Sequence, residues 1–116
     1  MSVMGTIKHS AIIVTGWDKT NMNTIRKKAK EIFKKHFENV QKGNKLVSNL
    51  VPSLMNEDFS FFIAPDGSKE GWQTSNNGDN AREEFIDYLS GQKRCNYIEI
   101  YFGGDFQETP KILNKG

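Results

Sequence analysis

His9-Ser10-Ala11-Ile12-Ile13-Val14-Thr15-Gly16-Trp17-Asp18 is the stretch on which the fold turns. Its apolar run is short and β-branched, and Gly16-Trp17-Asp18 stops it, so it predicts a buried strand followed by a turn. Met22, Ile25, Ala29, Ile32, Phe33, Phe37 and Val40 then recur at helical spacing, with lysines between them. This periodicity predicts an amphipathic helix of roughly 18 residues, starting near Thr20–Asn23 and closing at Gly43. The basic side chains of such a helix point away from the core.

Further along, Leu46 to Leu54 predicts a weaker strand, which Pro52 confines to an edge because it has no N–H to give a ladder. Asn56-Glu57-Asp58 supplies turn chemistry, and the apolar Phe59–Ala64 completes a hairpin. Pro65 to Gly78 is polar and glycine-rich and reads as a long crossover. A second helix is expected from about Asp79 to Ser90. Asn80 and Glu83 stand there at capping-box spacing, Ala81, Phe85, Ile86 and Leu89 form its inner stripe, and Gly91 stops it. Asn96 to Phe102 is a last strand, in which Ile98, Ile100 and Phe102 alternate with Tyr97, Glu99 and Tyr101. The tail from Gly103 to Gly116 is expected to fray, with Ile112 and Leu113 the residues able to pair.

The order β-α-β-β-α-β points to an α+β fold: a single ferredoxin-like domain, with two helices on one face of an antiparallel four-stranded sheet. Its ordered core is expected over about residues 8–102. The first and third strands, the most apolar two, belong in the middle of such a sheet.

With 116 residues, 36% of them hydrophobic and 26% charged, the chain can build one core without disulfides or metal. No apolar run approaches the ~18 residues of a bilayer span, and there is no apolar leader, so neither membrane insertion nor secretion is expected. The single Cys95 fits a reducing compartment. Net charge is +2, but residues 1–58 carry 10 Lys/Arg against 5 Asp/Glu, while residues 59–116 carry 6 against 9. The basic run Arg26, Lys27, Lys28, Lys30, Lys34 and Lys35 reads as the solvated face of the first helix. A pI near 8.7 falls short of a dedicated nucleic-acid domain.

Few residues suggest catalysis. His9 opens the first strand and His36 lies beside the helix stripe, and neither has a fixed partner in sequence. No Cys/His cluster suggests zinc, and Gly67-Ser68-Lys69 lacks Walker spacing. No catalytic residue, metal or cofactor is therefore expected. The crossover is the most informative segment, because long connections in small domains are often functional. Trp72 either folds back into the core or offers a stacking wall, Ser68, Lys69 and Ser75 offer hydrogen bonds, and Arg82 with the free amides of the second helix offers an anion site. Trp17 and His9 are further candidates to line such a pocket. A flat, phosphorylated ligand of nucleotide size suits that set. The apolar first strand lacks the aromatics of an RNA-binding sheet.

His9-x-Ala11-Ile12-Ile13-Val14-Thr15-x-Trp17-Asp18, together with Ser60 to Trp72 (Ser-Phe-Phe-Ile-Ala-Pro-Asp-Gly-Ser-Lys-Glu-Gly-Trp), resembles a family of small uncharacterised proteins encoded by phages and prophages. The likeness extends loosely through Gly78-Asp79-x-x-Arg82 to Gly103-Gly104-Asp105. It carries no catalytic residues over. It implies a phage protein in the host cytoplasm that counters host defence by sequestering a phosphorylated nucleotide messenger without cleaving it. The alternatives are direct inhibition of a host defence protein and a small phosphoesterase-type enzyme. A homo-oligomer is also expected, since an exposed edge strand around Leu46–Leu54 invites pairing.

Overall fold

The computed structural model describes residues 9–37, 43–67, 73–103 and 108–116, giving the backbone alone at 73–75 and 108–109. The elements are β1 (His9–Gly16), α1 (Lys19–Phe37), a 3-10 turn (Gly43–Leu46), β2 (Val51–Pro52), β3 (Phe59–Ile63), α2 (Gln73–Ser90), β4 (Cys95–Gly103) and β5 (Glu108–Lys115). They form a single α+β domain with two helices and one antiparallel sheet, ordered β2-β3-β1-β4-β5. β1 and β3 are interior, as their apolar content requires, and Pro52 lies on the edge strand.

The sheet has five strands, not four. The expected fraying tail is β5, whose residues pair with β4 through Ile100↔Ile112 and Glu99↔Asn114. Cross-strand partners hold this polar segment: Ile112 lies against Ile100, Asn114 donates to Glu99 at 2.6 Å, and Tyr97 and Gly116 exchange two backbone hydrogen bonds. The sequence period alone shows none of these partners.

β1 sets the orientation of the sheet. Residues directly opposite one another share a face. Ile12 and Val14, both fully buried, therefore put Ile63 and Phe61 of β3 on their side, and Glu99 and Tyr97 of β4 as well. Met22, Ile25, Ala29, Ile32, Phe33 and Phe37 of α1, with Ala81, Phe85 and Leu89 of α2, pack onto this face. The opposite face has no helix among the described residues. Phe62, Ile13 and Ile98 form one apolar row across it, and Ala11, Ile100 and Ile112 form another.

Asp18 caps α1: its carboxylate accepts from the Asn21 amide at 3.1 Å and its carbonyl from Met22 at 2.8 Å. The helix can start close to β1 because Gly16 has no side chain; a Cβ there would meet Met22 Sδ at 2.6 Å and Arg94 O at 2.7 Å. The expected closure at Gly43 and the inward Val40 involve residues 38–42, which are outside the described residues; Gly43 itself opens the 3-10 turn. Lys27, Lys34 and Lys35 of the basic run are exposed as expected, and three of its members are engaged. Arg26 Nε donates to Ser48 O at 2.7 Å, Lys28 lies over the Tyr88 ring, and Lys35 reaches α2.

That last contact joins the helices. Lys35 Nζ donates to both Glu84 oxygens at 2.8 Å, and His36 Nε2 lies 2.8 Å from Glu84 Oε1. The Lys35 hydrogen bonds, followed by that of His36, hold the Glu84 carboxyl below the usual carboxylate range. A carboxylate depressed by folding stabilises the protein above its ordinary pKa and loses that contribution as pH falls through the folded value. The clamp is partly solvated, so it is worth less than about 1 kcal/mol. Glu84→Gln is expected to flatten the acid limb of stability as pH falls below the ordinary glutamate value of about 4.3, read from urea midpoints. The two faces of the sheet separate in the same assay. Phe61→Ala should cost about 3–5 kcal/mol, and its neighbour Phe62→Ala no more than about 1 kcal/mol.

Candidate functional site

α2 begins at Gln73, six residues before the expected start at Asp79. The sequence Gln-Thr-Ser-Asn-Asn-Gly has poor helix propensity, and tertiary contacts override it. Gly78 is buried, and Asp66, at the end of the β3 segment, occupies the space that a Cβ at Gly78 would fill. Asn80 and Glu83 therefore lie inside the helix and do not form its cap.

The extension relocates Arg82. It sits well inside α2, away from the free amides with which it was expected to receive an anion. Its side chain is 5% exposed, with NH1 at 3.3 Å from Asp66 Oδ2 and NH2 at 2.7 Å from Asp79 Oδ1. The Asp66 carboxylate is as buried as the guanidinium, whereas Asp79 is 44% exposed. A buried guanidinium between two carboxylates is a structural tie first, since removing one partner strands charge in the interior.

Beside this tie, α2 and the helix-facing side of β4 and β5 enclose a groove of about 610 Å³. That lies within the range of about 300–1,000 Å³ typical of small-molecule sites. Asp79, Glu83 and Asp87 recur along one side of α2, with Ile86 between them. β1 contributes Ser10, β4 contributes Glu99 and Tyr101, and β5 contributes Leu113 and Asn114. Ser10 is 5% exposed and Glu99 7%. Glu99 takes one hydrogen bond, from Asn114 Nδ2, among the described residues, and the Ser10 hydroxyl takes none. No buried side-chain N or O atom of the described residues is sealed without a partner, so these free valences open onto the groove. A groove lined in this way can accept hydrogen bonds and positive charge from a ligand while Ile86, Leu113 and Tyr101 cover its apolar parts.

Of the residues singled out from sequence, the described side chains of Arg82, His9 and Trp17 lie apart from one another. Ser68, Lys69 and Trp72 are outside the described residues, and Ser75 is described only as backbone in the first turn of α2. Arg82 lines the groove. His9 lies on the helix-free face, its ring 5.7 Å from that of Phe102. Trp17 is 58% exposed at the other end of β1, roughly 25 Å away, with the Arg94 guanidinium 5.6 Å over its ring. Cys95 is no activated nucleophile, because burial pushes its thiol up. Sequence reading missed Ser10, Tyr101 and Asn114 as site residues and took Glu99 as a plain alternating position. The available signal was a polar residue two positions from Ile12 in the most apolar strand. Among the described residues no three of His, Cys, Asp and Glu stand close enough to hold a metal.

No family model matches the sequence, and no curated protein does. Among solved structures the chain is similar to a phage SAM lyase in complex with S-methyl-5′-thioadenosine, at a TM-score of 0.44 and 12% identity, covering 100% of this chain and 92% of that one.

The tie beside the groove has a diagnostic substitution. Gly→Ala at a helix interior ordinarily stabilises by about 1 kcal/mol. Gly78→Ala is expected to lower the denaturation midpoint instead, because the new methyl displaces Asp66 from Arg82. A raised midpoint would show that Asp66 does not sit against α2.

Proposed function

We propose that this protein, on a ferredoxin-like frame with one strand appended, binds a small polar molecule in the α2–sheet groove and acts by sequestering it. The observation that carries this reading is the pair of buried, incompletely bonded side chains, Ser10 and Glu99, that open onto a groove of ligand size. Polar atoms that open onto a groove in this way are completed by water or by a ligand. In the phage setting that the sequence resemblance implies, sequestration would keep a signal molecule from its host receptor.

One observation favours the narrower reading, a phosphorylated nucleotide. Arg82 is a fixed, buried cation on the groove wall, and its Asp79 partner is exposed enough to be exchanged for a phosphate. Against it stand Glu83, Asp87 and Glu99, which give the same groove an excess of negative charge. A ligand with few or no phosphates is therefore the better fit.

The test is recovery. Protein incubated with a bacterial small-molecule extract, washed and heat-denatured should release a compound identical to one in the extract, by mass spectrometry. Leu113→Trp, which fills the groove from β5, should release at least about tenfold less. Equal release from both proteins would exclude the groove, and release of a cleaved product would replace sequestration with catalysis.

A further inference from the structure

The arrangement of charge in the groove specifies more than a polar ligand. Asp79, Glu83 and Asp87 follow one another at i, i+4 and i+8, which spaces them about 6 Å apart along the axis of α2. Asp79 is committed to Arg82, but the Glu83 and Asp87 carboxylates have no ion pair or hydrogen bond among the described residues. Across from them Glu99, 7% exposed, has one carboxylate oxygen beyond its bond to Asn114. These three groups do not converge on a point, which a metal would require. They form a line on the helix and one anchor on the sheet, with Ile86, Leu113 and Tyr101 between. Ser10, 5% exposed and with no side-chain hydrogen bond among the described residues, lines the same space and can take a donor or acceptor from a ligand.

Resting on the reading of this groove as a ligand site, we propose that its occupant is a linear aliphatic polyamine of putrescine to spermidine length. Ammonium groups separated by a tetramethylene chain match carboxylates one helical turn apart. The methylenes lie on the apolar lining, one ammonium completes Glu99, and Ser10 accepts a further N–H. Such a ligand makes several separated charge-assisted hydrogen bonds, each stronger than a neutral one. The protein as a whole carries a net charge of +2, so a polycation gains nothing from the molecule's overall field and binds through this local acidic line or not at all.

Isothermal titration of the full chain with spermidine, adenosine and ADP, at fixed ionic strength, tests the assignment. Spermidine is expected to bind the parent most tightly. Glu99→Gln, which keeps the Asn114 contact, should weaken it by about 10- to 100-fold. The exposed pair Glu83→Gln with Asp87→Asn should weaken it comparably and reduce its salt dependence, with unfolding midpoints confirming that each variant is folded. Absence of spermidine binding, or binding that Glu99→Gln leaves unchanged, overturns the proposal. If adenosine or ADP binds the parent but not Leu113→Trp while spermidine is silent, the polyamine assignment fails and the groove stands. If none of the three probes responds to Leu113→Trp, both fall.

Discussion

The pairing of β1 with two neighbours at once constrains the rest of the molecule. Ile12 and Val14 must face the helices, because α1 and α2 supply the apolar surface that covers them. With that settled, antiparallel register leaves β4 no choice: Tyr97, Glu99 and Tyr101 turn inward, and Ile98, Ile100 and Phe102 turn out. A slip of one residue would bury the isoleucines and expose Glu99. The core is thus rich in aliphatic and aromatic groups under β1 and β3 and polar under β4, and the groove occupies the polar half. Its existence follows from which strand has the stronger claim on the helices.

Arg82 is the counterpart of this constraint on the helical side. The guanidinium joins the end of the β3 segment, through Asp66, to the middle of α2. Gly78 allows the contact, since any side chain there would occupy the position of the Asp66 carboxylate. Together they hold the early turns of α2 in helical form against a weak local sequence, and so present Glu83 and Asp87 at the groove. A residue singled out as an anion receptor from its place in the sequence also ties two carboxylates together in the fold.

Much of the architecture was legible in the sequence, because it rests on periodicity. β1, α1, β3 and the buried stripe of α2 each show their period clearly, and Pro52 marked its edge. β5 was not legible: Lys111, Ile112, Leu113 and Asn114 carry no regular alternation, and a bulge in the β4 pairing disrupts what there is. The first turns of α2 were hidden because a tertiary contact, not propensity, forms them. The site was legible only in Arg82. Ser10, Glu99 and Asn114 come together from three strands, and no local pattern reveals which face of β4 looks inward until the pairing with β1 is known.

Among the described residues, the sheet side opposite the helices gives the molecule a second apolar surface. Two cross-strand rows, Phe62–Ile13–Ile98 and Ala11–Ile100–Ile112, spread hydrocarbon over three or more strands, while the charged helices occupy the other side. Phe62, Ile13 and Ile112, the most exposed of these side chains, make this side the one from which association with another apolar surface would start.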